Sequence, residues 1–126
     1  MKESNIIQEK SYSFAIRIVN TYKHLVNKSE FVLSKQLLRS GTSIGANIEE
    51  AIGAQSRKDF YMKLTISYKE ARETHYWIRL LKDTNFLEVK LADSLLVNCE
   101  EILRIIGSIQ KSIKASNTQH QQLRNS

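Results

Sequence analysis

The chain has 126 residues, which is enough for one domain with a single hydrophobic core. It contains no proline and only four glycines, which argues against a sheet protein rich in tight turns and favours long helices. The net charge of +6 favours anionic partners, and the single cysteine excludes an internal disulfide. The first 20 residues have no apolar run, so we expect no secretory signal, no membrane span and a cytoplasmic location.

Four segments with helical periodicity follow one another along the chain. The first runs from about Asn5 to Val26, and Ser4 or Asn5 can cap its start. Its inward residues recur at steps of three and four: Ile7, Ser11, Phe14, Ala15, Ile18, Tyr22 and Leu25. Ser29 is the predicted cap of the second segment. The inward face of that segment is formed by Leu33, Leu37, Ser40, Gly41, Ile44, Ile48, Ala51 and Ile52.

The second segment carries a run of small residues, SGTSIGANIEEAIGA, at positions 40–54. Gly41 and Gly45 lie one turn apart, and each costs roughly 1 kcal/mol relative to alanine inside a helix. Close approach of a neighbouring helix would offset this cost, whereas the alternative is a break between the two glycines. We favour one continuous helix. The residues assigned to close helix packing are Ser40, Gly41, Ile44, Gly45 and Ile48.

The third and fourth segments each follow a predicted capping pair. Ser56 and Asp59 form a capping box before the third helix, which extends to about Lys82. Its inward residues are Phe60, Leu64, Ser67, Tyr68, Ala71, Thr74, His75 and Ile78. Asn85 and Glu88 are the predicted capping pair of the fourth helix. The inward residues of that helix are Leu91, Leu95, Cys99, Ile102, Ile105, Ile106, Ile109 and Ile113.

These segments predict an all-α fold. Four helices of similar length joined by short connections are typical of an antiparallel up-down-up-down four-helix bundle, here over residues 1–114. Residues 115–126 are polar and predict a disordered tail.

The third helix carries a second apolar cluster outside its inward stripe. Its members are Met62, Ile66, Trp77 and Leu80. Either Trp77 packs against the edge of a neighbouring helix, or the cluster is buried against another subunit. We favour a homo-oligomer in which these residues form the interface.

The residues that could carry chemistry do not form a known site. Glu73 and His75 are two residues apart, so the Glu-x-x-His motif of di-iron bundles is absent, and no zinc ligand set of standard spacing exists. His75 and Cys99 lie on inward faces, where a hydrogen-bonded histidine and a small buried hydrophobe are the expected roles. Glu49 and Glu50 are adjacent and point about 100° apart on a helix. We predict no metal, no cofactor and no enzymatic activity.

Basic residues are the remaining candidates for function. Those on or just before the third helix are Arg57, Lys58, Lys63, Arg72, Arg79 and Lys82. The simple interpretation is a solvated helix face of mixed charge. The alternative is a nucleic-acid interface that contacts mainly phosphate and weakens steeply with salt.

Three stretches carry a resemblance to a known family. SIGANIEEA at 43–51, SRKDF at 56–60 and KEARETHYWIRLL at 69–81 resemble the 23S rRNA-intervening sequence proteins, and the resemblance covers roughly residues 10–113. Many relatives have proline where this chain has Gly45. The chain is also similar to the basic bundle proteins that accompany reverse transcriptases in diversity-generating retroelements. The family resemblance implies a bundle that can assemble into a homopentamer, and in the retroelement proteins the pentamer binds nucleic acid and the polymerase. No catalytic residues are established for the family, so the resemblance assigns none to this chain.

Three functional hypotheses follow. The first is a non-enzymatic, homo-oligomeric bundle that binds RNA or DNA through basic residues. The second is an oligomeric scaffold that recognises a protein partner. The third is a bundle that binds a small molecule or a metal, and it is the least favoured.

Overall fold

The fold consists of four long helices. A computed structural model of the chain describes residues 2–124, except for the side chains of residues 120, 121 and 124. The helices are α1 (Lys2–Asn27), α2 (Leu33–Ile52), α3 (Arg57–Asp83) and α4 (Val89–Arg124). The described residues contain no strand, so the predicted all-α class with four helices is confirmed. Helix α4 continues through 115–124, a stretch that the sequence assigns to a polar tail, and residues 1, 125 and 126 lie outside the described residues.

The helices surround one hydrophobic core. Within the described residues the backbone of each helix approaches that of the next along the chain, α1 also approaches α4, and no Cα atoms of diagonally placed helices come within 8 Å of each other. This arrangement is consistent with a four-helix bundle. The core includes the predicted residues Ile7, Phe14, Ile18, Leu25, Leu37, Ile44, Leu64, Ile78, Leu95, Cys99, Ile102 and Ile106. Ile52 was predicted to point inward, but it is the last residue of α2 and is 43% exposed.

The side-chain pairs between neighbouring helices run in inverse order along the chain. Gln8 of α1 donates to Glu49 of α2, while Ile18, further along α1, lies against the earlier residue Gly41. The same inverse order holds for the other neighbouring helices. Between α2 and α3 the pairs are Glu50 with Lys63 and Ser40 with Thr74, and between α3 and α4 they are Thr65 with Gln110 and Lys82 with Asp93. Between α1 and α4 they are Lys10 with Glu101 and Arg17 with Asn98.

The small-residue run allows α1 and α2 to approach closely. Helix α2 is continuous from Leu33 to Ile52, so the favoured interpretation of the two glycines is correct. A Cβ atom on Gly41 would lie 2.8 Å from both Cγ atoms of Ile18, which is fully buried. A Cβ atom on Gly45 would lie 3.4 Å from the carbonyl oxygen of Ser11. Both glycines therefore face α1, and any larger residue at either position would press against that helix.

Two predicted helix caps are wrong, and for the same physical reason. Ser29 and Asn85 both adopt a left-handed backbone, with φ of 65° and 67°. The N–H of the residue after each donates back to Leu25 and Leu81, respectively, which closes the preceding helix in a Schellman motif. Both residues therefore end a helix and do not begin one.

The starts of α1 and α2 differ from the predicted ones, whereas the start of α3 agrees with its predicted cap. Helix α2 is capped by the carboxylate of Glu30, which accepts hydrogen bonds from backbone N–H groups of its first turn. Helix α1 begins at Lys2, so the suggested caps Ser4 and Asn5 lie inside it. Ser56 is confirmed as the cap of α3, because its Oγ accepts from the N–H of Asp59 at 3.1 Å.

Candidate nucleic-acid interface

Two of the six basic candidates are paired with carboxylates. The Nζ of Lys63 lies 3.4 Å from an oxygen of Glu50, and the Nζ of Lys82 lies 2.7 Å from an oxygen of Asp93. Each pair joins neighbouring helices and is locally neutral. These lysines therefore offer less to a phosphate than an unpaired cation does, because the carboxylate must first be displaced.

Arg79 is engaged by its own helix. Its Nε donates to Nδ1 of His75 at 3.1 Å, and its guanidinium lies 5.9 Å from the centroid of the Tyr76 ring. Burial lowers the pKa of His75, and the charge of Arg79 lowers it further, while Glu100 opposes the shift. Near neutral pH the imidazole is therefore uncharged and acts as the acceptor for Arg79. The hydrogen bond from Arg79 agrees with the predicted role of His75 as a hydrogen-bonded histidine and not with a role as a catalytic base.

Arg57, Lys58 and Arg72 are exposed, and none of them has a carboxylate partner among residues 2–124. Arg57 and Lys58 are the first two residues of α3. Arg72 is fourteen residues after Lys58, which is about 21 Å along a helix. The six candidates thus do not form one site, and of the three exposed candidates without a carboxylate partner, Arg57 and Lys58 lie together at the start of α3.

A groove lies between the start of α3 and the end of α4. Its volume is about 600 Å³. We call it the α3–α4 groove, and it is lined by Arg57, Lys58, Tyr61, Met62, Ile113, Lys114 and Asn117. The lining contains three cationic side chains and no carboxylate. The Nζ of Lys114 lies 5.9 Å from the centroid of the Tyr61 ring, within the range of a cation–π interaction.

The sequence did not single out Tyr61, Lys114 or Asn117. Asn117 falls within the stretch assigned to a tail, and the other two lie on different helices. A signal was present, because Tyr61 follows the Arg57-Lys58 pair by one helical turn. The pairing register of α3 and α4 was needed to bring Lys114 beside it.

The predicted interface residues do not form one uniform stripe. Met62 and Ile66 are 54% and 39% exposed on α3. Trp77 and Leu80 are half-buried, and the Trp77 ring packs against the core with its Nε1 donating to Glu73 at 2.9 Å. The same carboxylate of Glu73 accepts from Arg39 of α2. The structure thus places the tryptophan against the edge of a neighbouring helix and leaves Met62 and Ile66, with Tyr76, exposed on α3.

The side chains that could take part in catalysis or metal binding lie apart from one another. Glu49 interacts with α1 through Gln8, whereas Glu50 interacts with α3 through Lys63. Cys99 is fully buried and donates to the carbonyl of Ala71 at 3.2 Å. Burial raises the pKa of its thiol to about 12. Among the residues that the structure describes, no cluster of three or more His, Cys, Asp or Glu side chains is placed to hold a metal ion.

None of the helices within residues 2–124 combines the length and the apolar composition that a membrane crossing requires.

Comparison with known proteins assigns the family. The family model of the 23S rRNA-intervening sequence proteins matches residues 3–108. A crystal structure of a protein of unknown function from the S23 ribosomal protein family of Bacteroides thetaiotaomicron is 53% identical, with a TM-score of 0.85. That match covers 86% of this chain and 98% of the other. No curated protein matches the chain. The chain belongs to the family of 23S rRNA-intervening sequence proteins.

Proposed function

We propose that this protein is a non-enzymatic, homo-oligomeric bundle of the cytoplasm that binds RNA or DNA through exposed basic residues. We also infer an antiparallel up-down-up-down topology, which the inverse order of the side-chain pairs supports. The similarity to the bundle proteins of diversity-generating retroelements supports a homopentameric state and a polymerase partner as part of the same proposal.

One observation carries the nucleic-acid proposal. The start of α3 presents Arg57 and Lys58 to solvent without a carboxylate partner in the described part of the chain, and Lys114 of α4 adds a third cation beside them. Lys63 and Lys82 already have carboxylate partners. Unpaired cations bind phosphate by releasing counterions, without first losing an internal ion pair.

The state of the reactive side chains supports the non-enzymatic part of the proposal. The Cys99 thiol is buried and has a raised pKa of about 12, so it stays protonated and is a poor nucleophile. The pKa of His75 is lowered, mainly by burial, and its Nδ1 already accepts from Arg79. Glu49 and Glu50 are directed to different helices and cannot act as an acid–base pair on one substrate.

A charge-matched pair of variants tests the proposal. We expect R57Q/K58Q to weaken binding to duplex DNA and to reduce the slope of log K against log salt by about 1.8, because each phosphate contact contributes about 0.9. The control K63Q/K82Q removes the same charge from paired lysines and should change the slope little. Fluorescence anisotropy over a salt series measures both.

Two outcomes would contradict the charge prediction. Equal losses in the two variants would mean that net charge alone drives binding. No binding of the unmodified protein at about 50 mM salt would remove the nucleic-acid function, because electrostatic binding is strongest there.

A second candidate function rests on the outward apolar residues of α3. Met62, Ile66 and Tyr76 are exposed on one helix, and such a patch is typical of a protein–protein interface. An oligomeric scaffold that recognises a protein partner would use this face and leave the basic residues solvated. Salt-insensitive capture of one protein partner would favour this function over the first.

Light scattering tests the oligomer. We expect the unmodified protein to have five times the mass of one chain and Ile66→Glu to reduce that mass, because a charge would be buried at the interface. Val97→Glu on α4 is the control, since Val97 is 63% exposed and lies on another helix. A monomeric unmodified protein at micromolar concentration would overturn the assignment.

A further inference from the structure

The α3–α4 groove combines cationic side chains with an apolar surface, whereas phosphate binding alone needs only the cations. Its α4 wall consists of Ile113, Lys114 and Asn117, all of which lie beyond residue 108, where the match to the family ends. The α3 wall of the groove therefore lies inside the part of the chain that the family model matches, and the α4 wall lies outside it.

The charge of the groove selects an anionic occupant. Arg57, Lys58 and Lys114 line it, and no carboxylate does. Of these cations, Lys114 lies over the Tyr61 ring, and none of the three has an ion pair with a side chain described within residues 2–124. A second copy of this chain, with its net charge of +6, would add like charge to the groove. A polyanion complements it.

The apolar floor of the groove favours a single-stranded nucleic acid over a duplex. Tyr61 and Ile113 offer an apolar surface beside the cations. The Tyr61 side chain is half-buried, and the group over one face of its ring is the ammonium of Lys114, an exposed residue whose side chain can give way to a ligand. A duplex keeps its bases stacked inside, so only a single strand can place a base on that ring while its phosphates reach the cations. The Asn117 amide can both donate to and accept from a base edge.

We infer that the α3–α4 groove is a single-strand site, in which one base stacks on Tyr61 and the flanking phosphates contact Arg57, Lys58 and Lys114. The inference rests on the proposed nucleic-acid function and adds the form of the ligand and the place of the base. The incoming base takes the ring face that Lys114 covers, and the lysine moves onto a phosphate. The Asp and Glu side chains of an acidic protein segment would pair with the cations, but they have no planar ring to stack on Tyr61.

The test compares two tyrosines that each have a cation over the ring. Tyr61 has Lys114 over its ring at 5.9 Å, and Tyr76 has Arg79 over its ring at the same distance, outside the groove. In anisotropy titrations of the full chain with fluorescein-labelled oligothymidylate, we expect Tyr61→Leu to weaken binding about ten-fold, as for the loss of one stacked base. Tyr61→Phe retains the ring and should bind as the unmodified protein does, and Tyr76→Leu should have no effect.

The salt dependence separates stacking from charge. Tyr61→Leu should leave the salt slope unchanged, whereas Lys114→Gln should reduce it by about 0.7, the contribution of one single-strand phosphate. Binding to a duplex of the same length should be insensitive to Tyr61→Leu. Circular dichroism of each variant confirms that the helices are retained.

The remaining outcomes overturn the inference in distinguishable ways. Equal binding of single strand and duplex, with no effect of Tyr61→Leu, removes the stacking site and leaves the proposed function intact if R57Q/K58Q still weakens binding. No binding to either nucleic acid removes both. If Tyr61→Leu weakens binding of fluorescein-labelled polyglutamate as much as that of the oligonucleotide, the groove is a site for acidic protein segments.

Discussion

Replacing Gly41 with alanine should lower the free energy of unfolding by about 2 kcal/mol, because the new methyl group overpacks the core. The added Cβ would lie 2.8 Å from Cγ1 and Cγ2 of Ile18 and 3.1 Å from its Cδ1. The Ile18 side chain is branched at Cβ and fully buried, so it cannot rotate into solvent to make room for the new methyl group. The intrinsic helix preference for alanine, about 1 kcal/mol, acts in the opposite direction and is smaller than the collision.

Gly107 is the matched control for Gly41. It also lies inside a long helix, but no atom outside its own helix segment lies within 4 Å of its added Cβ. Gly107→Ala should therefore raise the free energy of unfolding by about 1 kcal/mol through helix propensity alone. Gly45→Ala should fall between the two, because its nearest neighbour is 3.4 Å away. Urea denaturation monitored by circular dichroism measures all three.

A double-mutant cycle identifies the cause of the Gly41 effect. Ile18→Ala removes the three atoms that the new methyl group would meet. In that background Gly41→Ala should no longer destabilise the protein and should instead stabilise it by up to about 1 kcal/mol. An unchanged cost of Gly41→Ala in the Ile18→Ala background would show that the glycine is needed for a reason other than contact with α1.

The sequence contained most of the fold because periodicity is a local property. The inward positions of α1, such as Phe14 and Ile18, follow from spacing alone, and both are buried. The close approach at Gly41 could also be anticipated, since a glycine inside a helix is costly unless something else requires it. The partner of Gly41 could not be named, because the register of α1 against α2 depends on the whole interface.

Helix boundaries were less predictable because the same residues can begin or end a helix. Ser29 and Asn85 were assigned as N-caps from their polar side chains. Both instead adopt positive φ and close α1 and α3. Asparagine tolerates this conformation and serine does so less readily, so composition alone does not distinguish the two roles.

The candidate site was only partly predictable, for electrostatic reasons. Arg57 and Lys63 look equivalent in the sequence, but only Lys63 faces a carboxylate, Glu50, across the α2–α3 contact. Lys114 was not considered because its neighbour Tyr61 is 53 residues away in the chain. Which cations remain unpaired is decided by contacts between helices, and these are outside the reach of local patterns.

Loss of the Glu30 side chain should cost even more stability than the change at Gly41. Its side chain lies just before α2, and the residue is only 7% exposed. One carboxylate oxygen accepts from the N–H of Val32 at 3.2 Å and of Leu33 at 2.9 Å, and the other accepts from the N–H of Ser34 at 2.6 Å. The Ser34 hydroxyl donates to the Glu30 carbonyl at 2.8 Å.

We expect Glu30→Ala to lower the free energy of unfolding by about 3 kcal/mol, because three N–H groups lose a charged acceptor in a largely buried place. Glu30→Gln should cost less, about 1–2 kcal/mol, since the amide oxygen can still accept while its NH₂ group faces a donor. Glu88→Gln is the control, because Glu88 immediately precedes α4 and is exposed, so its effect should stay within about 0.5 kcal/mol.

The pH dependence tests whether the charge of Glu30, and not its shape, stabilises α2. Burial alone raises the pKa of the Glu30 carboxyl, but hydrogen bonds from Leu33, Ser34 and Val32 outweigh it and bring the pKa below its ordinary value of 4.5. A group whose pKa is lowered by folding contributes stability above its unfolded pKa and loses it as pH falls through the folded pKa. The difference in stability between the unmodified protein and Glu30→Gln should therefore be largest near about pH 7 and shrink as the pH approaches about 3. A difference that stays constant over this range would mean that the carboxylate acts only by filling space, because an uncharged acid and an amide of the same shape pack alike.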